Sequence, residues 1–414
     1  MARQDIHNQL FRYLLAGVII TLPFHLHVNV AFIIALGVNW VIEGDFRMKW
    51  KHLSESRFFI LTTALYAWYC IEIVFAEDIT MALFEPEQKA SLLALPLLIV
   101  SRPQQVTDNI NFLKKVIVLT ITSALIICVV MALLKAVIKQ EPVHLFYHAL
   151  AGHIGLSAIY LSLLCLCALS VLLGGAGRII GTAGDILLSE LLIAGVVLLS
   201  SKTHIVLMLL MLLVSGFRYF GLNMRTTVLS GLIFLTAILI LLTTDNPVSA
   251  RYRDIRVSAS PVVPIDSITP AVYLDGASLR IIFAHFGFDI LKERQAWLLG
   301  VSPGDTRHAL NEKITGYHLY TGDGKSDKGY FNYNYHNQYM ETLLACGGIG
   351  LMLLLWIMWE VFYRALKSGN YSLLLVVGVF GFCFITESVL ERAVGIVSFS
   401  LFFSILLTST QPSE

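Results

Sequence analysis

The chain has 414 residues, of which 57% are hydrophobic and only 14% charged, and its formal net charge is +1. A soluble globular domain carries about 25% charged residues, so this composition excludes an ordinary soluble fold, while a charge so close to zero singles out no partner. The apolar residues come in long runs, FRYLLAGVIITLPF and VIVLTITSALIICVVMALL among them. A helix crossing a bilayer needs roughly 20 mostly apolar residues. Backbone in lipid must satisfy its own hydrogen bonds, so such runs read as helices.

In chain order the predicted helices cover 10–22, 26–43, 57–75, 88–101, 114–134, 153–174, 186–199, 203–217, 225–243, 338–363, 371–386 and 393–408. The first follows a short polar start with no small-residue cleavage site and reads as a retained helix, not a signal peptide. Segments 186–199 and 203–217 are short for a span and need a neighbour or a thinner bilayer. The fold class is an all-α polytopic membrane protein of about 12 transmembrane helices with one large loop between helices 9 and 10. Residues 1–243 carry helices 1–9, residues 244–337 the loop and residues 338–414 helices 10–12, in a single membrane domain.

Charge asymmetry orients it. With Met1 inside, the inner segments hold Arg3, Arg12, Arg47, Lys49, Lys51, Arg57, Arg102, Lys114, Lys115, Arg178, Arg218, Arg225, Arg364 and Lys367, while the short outer loops hold only Lys89, Lys135, Lys139, Lys202 and Arg392. Cytoplasmic loops are enriched in Lys and Arg, so both termini are expected inside and the large loop outside. All six cysteines fall within predicted helices, which leaves the loop without a disulfide and without a zinc-type cluster.

Residues 244–337 are too long for an ordinary connection. DNPVSARYRDIRVSAS opens the loop, and Pro261, Pro264 and Pro270 break any helix. In SLRIIFAHFGFDILKERQAWL, apolar residues at 279, 282, 283, 286 and 290 recur at helical spacing. This predicts an amphipathic helix on the membrane surface with Phe283 and Phe286 inward. GVSPGD is a turn by its Gly and Pro content, HLYTGDGKSDKGY is polar, Gly-rich and expected to be mobile, and FNYNYHNQY feeds into the tenth helix.

Two features of the loop bear chemistry. Arg280 on the amphipathic helix, with Arg251, Arg253 and Arg256 upstream, offers guanidinium groups that bind phosphate bidentately; an anchor to lipid headgroups accounts for the same residues. His336 and Asn337 stand where the loop enters a helix. The positive helix end favours neutral imidazole, the form a general base needs; a belt histidine among Tyr333, Tyr335 and Tyr339 fits as well. Lys89, His148, His153, Glu190, Lys202, Glu387, Glu391 and Arg392 add ionisable groups at helix ends or inside helices, where ions mark function or internal pairs, such as Arg392 with Glu387 or Glu391. Lys202, in SSKTHI between two short helices, is a cation that can face the same phosphate as Arg280. The loop's acids Asp266, Asp275, Asp289, Asp305, Asp323 and Asp327 are scattered, with no metal-binding spacing.

Four passages resemble the bacterial O-antigen ligase family: FEPEQKASLLALPLLI, SSKTHI, SLRIIFA with LLGVSPGD, and YHNQYMETLLACGGIG, which is similar to the family's histidine motif followed by a Gly-x-x-Gly helix. Lys202 stands where the family usually has arginine, and Ser302 and Pro303 interrupt the turn. The resemblance implies a metal-independent, inverting glycosyltransferase of the bacterial inner membrane acting in lipopolysaccharide biosynthesis, without a cofactor. Its donor would be an undecaprenyl-diphosphate-linked glycan, its acceptor lipid A-core, and its surroundings membrane lipid, with no nucleic acid involved. His336 would be the base, Arg280 and Lys202 the diphosphate contacts on the periplasmic face, and Asn337, Lys89, Glu387, Glu391, Arg392 and Tyr339 supporting residues. Two other readings stay open. A surface polysaccharide polymerase shares the donor, but two sizeable outer loops would be expected. A transporter or flippase would show internal symmetry and broken helices at matching positions.

Overall fold

The computed structural model describes residues 2–140, 145–175, 178–220, 274, 276–323, 327 and 329–409. Among them every regular element is a helix: α1 (Ala2–Thr21), α2 (Leu26–Glu43), α3 (Phe46–Glu55), α4 (Arg57–Glu72), α5 (Ile79–Lys89), α6 (Ser91–Val100), α7 (Pro103–Lys139), α8 (Tyr147–Ala151), α9 (Ala158–Gly174), α10 (Thr182–Leu198), α11 (Lys202–Phe220), α12 (Gly276–Glu293), α13 (Thr306–Gly316), α14 (Gln338–Ser368), α15 (Tyr371–Thr386) and α16 (Ala393–Thr408). The predicted helix 225–243 and loop residues 244–273, with Arg251, Arg253 and Arg256, lie outside the described residues.

The chain is a helical membrane protein by its apolar helices, but the predicted count of spans is met only in part. Among the described residues, α2, α4 with its extension to Phe75, α7 and α14 are each long and apolar enough to cross a membrane; the segment Tyr147–Ile154 and α9, bent by 78°, make a fifth if taken as one span. Three further differences have local causes. The expected helix 88–101 is two helices broken at Ala90, and the second holds only ten residues. The expected helix 114–134 begins at Pro103, because proline is at home in a first turn, where its missing N–H is not needed. The polar segment FRMKWKHLSE forms α3 by burying Lys49 and Leu53 on one face. Lys49 there is paired with Glu43 (2.7 Å) at the end of α2, and Arg102 joins the same carboxylate.

α16 is the axis of the bundle. It is buried on every side from Val394 to Thr408, which explains an apolar sequence without a polar stripe. α6 and α15 pack against it, α9 packs on α15, and α4 on α14. A second core lies under the described part of the loop. Leu279, Ile282, Phe283, Phe286 and Ile290 of α12 meet Leu310 and Ile314 of α13 and Met340 and Leu344 of α14. The helical spacing expected for α12 is present, and Phe283 and Phe286 face α13 and α14 within this core.

Among the described residues, two of the places that fasten the loop to the bundle follow α12. α14 is broken at Gly347 (φ 61°, ψ −166°), and the turn after α12 fills the break. Val301 N–H donates to the Leu344 carbonyl (2.7 Å), and Gly348 N–H donates to the Trp297 carbonyl (2.8 Å). Both glycines here are required: a Cβ on Gly347 would collide with the Leu298 carbonyl, and one on Gly300 (φ 88°) with the Leu344 carbonyl. Farther on, the buried carboxylate of Asp305 accepts from the backbone N–H groups of Glu77 (2.8 Å) and Asp78 (2.9 Å). The segment expected to be mobile is hydrogen-bonded where it is described: Tyr330 N–H donates to the Tyr320 carbonyl (3.0 Å) and Gly329 N–H to Asp327 (2.9 Å).

Candidate active site

Three elements distant in sequence converge where α15 ends. The last carbonyls of a helix have no partner within it. Here the Thr386 carbonyl accepts from Arg280 Nε (2.8 Å) and the Ile385 carbonyl from Asn337 Nδ2 (3.1 Å). The next residue, Glu387, turns into extended backbone (φ −147°, ψ 143°). That turn presents its carboxylate to two partners. Oε1 accepts from Arg280 Nη2 (2.6 Å), and Oε2 lies 3.3 Å from His336 Nδ1.

The arrangement fixes the imidazole. An ionised carboxylate only accepts hydrogen bonds, so Nδ1 carries a proton, and whenever the ring is neutral its lone pair lies on Nε2. Burial by itself would raise the Glu387 carboxyl, but the His336 hydrogen bond and charge and the Arg280 guanidinium outweigh it and hold the group below the usual carboxylate value. The ring's other supports are local. His336 has a positive φ of 48°, its N–H donates to Asn334 Oδ1 (3.1 Å), and the Tyr333 ring meets it edge-on at 5.8 Å. Asn337 caps α14, its Oδ1 accepting from Met340 N–H (3.0 Å). Tyr339 ties α14 to α15 by donating to the Gly381 carbonyl (3.0 Å).

Exposure is graded across the cluster. Glu387 is 12% exposed, His336 27% and Arg280 31%. Arg280 also donates from Nη1 to the Gly276 carbonyl (2.6 Å), so three of its five donors are engaged among the described residues. The site is thus a carboxylate held from behind, with an imidazole and a guanidinium facing outward.

The other predicted residues are placed differently. Lys89 is completely buried, 2.5 Å from Glu85 and 2.9 Å from Glu391, with the Tyr69 ring 4.8 Å from its ammonium. An internal pair of Arg392 with Glu387 or Glu391, one of the two readings open for these ions, is not formed: the acids' partners are Arg280 and Lys89, and Arg392 is exposed at the start of α16. Tyr160 on α9 lies within electrostatic reach of Glu387, Arg392 and Glu391 together. Lys202 opens α11, and two residues on, His204 Nε2 lies 3.4 Å from Cys383 Sγ on α15. That contact sets the SSKTHI segment beside the last turn before Glu387.

Sequence reasoning missed three buried residues that hold the site. Glu341 accepts from Tyr335 N–H (3.0 Å) and Ser388 Oγ (3.2 Å). Gln338 accepts from Leu390 N–H (2.6 Å), and Asp305 carries the clasp to residues 77 and 78. Polar side chains at 338 and 341, one turn apart at the start of an apolar helix, were the available signal, since such residues face the protein interior. Among the described residues no group of three or more His, Cys, Asp or Glu side chains comes together as a metal site.

The family model described as O-antigen ligase matches residues 187–355, from α10 to the middle of α14. The match contains Lys202, Arg280 and His336 and ends before Glu387. No curated protein matches the chain. Residues 187–355 are thus similar to the O-antigen ligase family, a family of glycosyltransferase-like ligases and polymerases of lipid-linked glycans.

Proposed function

We propose that the chain is an O-antigen ligase of the bacterial inner membrane, transferring a glycan from undecaprenyl-diphosphate to a sugar hydroxyl of lipid A-core. In this reading the chain has twelve spans, both termini are cytoplasmic, and the loop 244–337 is periplasmic with the site on that face. The observation that carries the reading is the meeting of Arg280, Glu387 and His336, with Glu387 lying 107 residues from Arg280 and 51 from His336 in sequence.

The chemistry follows from the geometry. His336 Nε2 takes the proton of the acceptor hydroxyl as that oxygen attacks the anomeric carbon. The bond from that carbon to the diphosphate oxygen breaks, and undecaprenyl diphosphate leaves from the opposite face with inversion. Glu387 stabilises the imidazolium as it forms and keeps the ring in the reactive tautomer. The free donors of Arg280, together with Lys202, stabilise the charge that grows on the leaving diphosphate. Arg392, exposed beside the same connection, adds positive field. The two principal cations do the work that Mg²⁺ does in other transferases, so the reaction in this reading needs no metal.

The test is transfer by the purified protein in lipid nanodiscs with undecaprenyl-diphosphate-linked glycan. Offered lipid A-core and a second lipid-linked glycan in separate reactions, it should glycosylate lipid A-core, in excess chelator as well as without it. Extension of the lipid-linked glycan alone makes the chain a polymerase. Movement of donor across the bilayer without glycan transfer makes it a transporter. Loss of transfer in chelator with rescue by Mg²⁺ or Mn²⁺ overturns the two-cation account.

A further inference from the structure

The break in α14 has a counterpart on the surface. Trp297 is 49% exposed, Leu298 62% and Phe288 48%, and the Phe288 and Trp297 rings stack at 6.2 Å. These are large apolar groups exposed on and beside the turn that follows α12. Their height is set by α14. Arg364, near the other end of that helix, is paired with Glu360, which also lies 4.0 Å from Arg57 at the start of α4. That ionic group marks one edge of the apolar layer. A hydrocarbon core of about 30 Å takes about twenty helical residues at 1.5 Å each, and twenty residues before Arg364 is Leu344. The turn's hydrogen bonds run to Leu344, Gly348 and Ile349, at that opposite edge and just inside it.

The face agrees with the depth. Met352, Trp356 and Trp359 form an exposed apolar stripe on α14. Residues 348 and 349 lie three to four positions before Met352, on the same side of the helix, and their N–H groups are the ones bonded to Trp297 and Leu298. The exposed side chains of the turn continue the stripe. The backbone agrees as well. Non-helical backbone at membrane depth must have its polar groups satisfied by protein, and the broken helix and the turn supply donors and acceptors to one another.

We propose that the turn Trp297–Gly300 is inserted into the edge of the bilayer core on the His336 side, with Trp297, Leu298 and Phe288 in contact with lipid acyl chains. The proposal rests on α14 being a membrane span. It gives the loop a fixed height: α14 begins about 10 Å beyond Leu344 at 1.5 Å per residue. That sets His336 and Glu387 in the headgroup layer, level with the phosphates of any lipid-linked substrate.

A fluorophore on Leu298→Cys, in a Cys70→Ser background where the five remaining cysteines are buried, tests this in nanodiscs. Matched labels go on Thr315→Cys, exposed on α13, and Met352→Cys on the α14 stripe. Nitroxide-labelled lipid should quench positions 298 and 352 but not 315, and aqueous iodide should quench only 315. If iodide quenches 298 while lipid quenches 352, the insertion is wrong and the span stands. Protection of 298 from both quenchers means that protein covers the turn, which also overturns the proposal. Failure of lipid to quench 352 removes the span and the insertion together. Leu299→Cys provides a second position should the 298 variant fold poorly.

Discussion

Two ionic clusters hang on the short connection between α15 and α16, and they are built in opposite ways. At Glu391 the acid is closed in: Lys89 is fully buried and bridges Glu391 to Glu85. At Glu387 the acid is closed behind and open in front, with His336 and Arg280 each more than a quarter exposed. The closed cluster holds the connection in place, because an ion pair removed from water is costly to break. The open one leaves an imidazole nitrogen and guanidinium donors facing outward, where the proposed reaction would use them. A position four residues along one connection thus separates architecture from chemistry, and substitutions should divide along the same line.

The largest effect is expected in the open cluster. His336→Gln keeps similar size and polarity and should leave insertion and thermal stability unchanged while transfer falls about 100- to 10,000-fold, the usual loss on removing a general base. Wild-type transfer by a correctly inserted variant would end the base assignment. The closed cluster should respond in the other quantity. Lys89→Met leaves Glu85 and Glu391 buried without a cation, which costs about 3–5 kcal/mol when one partner of a buried pair is removed. The readout is the melting temperature in nanodiscs. A Lys89→Met protein as stable as wild type but inactive would mean that Lys89 serves the substrate and that the contrast between the clusters is false.

Arg280 stands between the two roles, since it both holds Glu387 and faces outward. Arg280→Lys keeps the charge but loses the planar fork. Transfer should fall on the order of 100-fold, as when one electrostatic contact to a developing anion is removed. The same fall with Arg280→Ala, at a melting temperature close to wild type, would favour the leaving-group role. Near-normal transfer by Arg280→Ala would reduce Arg280 to a clamp on Glu387 and the end of α15.

How far these roles were legible in the sequence follows from what kind of contact each residue makes. Arg280 and His336 stood out because one lies on an amphipathic helix and the other where a loop meets a helix, and both patterns are local. Glu387 was visible as an ion at a helix end, but its partners were not, and Arg392 stood as one possible internal pair. Arg392, five residues on, is a near neighbour only if the chain between them is helical; instead Glu387 is extended, residues 389–391 form a 3-10 turn, and Arg392 is extended again. Glu341, Gln338 and Asp305 left little trace, because each has a partner far along the chain: the Ser388 hydroxyl for Glu341, the Leu390 N–H for Gln338, and the Glu77 and Asp78 N–H groups for Asp305. The long apolar helices were legible because a span is a continuous run. The breaks at Ala90 and Gly347 were not, because each depends on what another segment brings to it.

The smallest expected effect is a pH dependence, and it bears most directly on why the two clusters differ. Folding holds the Glu387 carboxyl below its ordinary value of 4.5 through His336 and Arg280, against the opposing effect of burial. The stabilisation from this group is therefore complete above that ordinary value and disappears as the pH falls through the lower folded value. Glu387→Gln cannot ionise, so it lacks that contribution at every pH. The melting temperature of wild type should exceed that of Glu387→Gln at neutral pH, and the gap should narrow as pH drops below about 4.5, where the wild-type carboxylate takes up its proton. Arg280→Ala should narrow the same gap already at neutral pH, since one of the two groups that favour the carboxylate is gone. A gap that stays constant through the acid range would show that Glu387 contributes by packing and not by charge. The carboxylate would then have no claim to orient the imidazole, and the difference between the open and the closed cluster would be one of exposure alone.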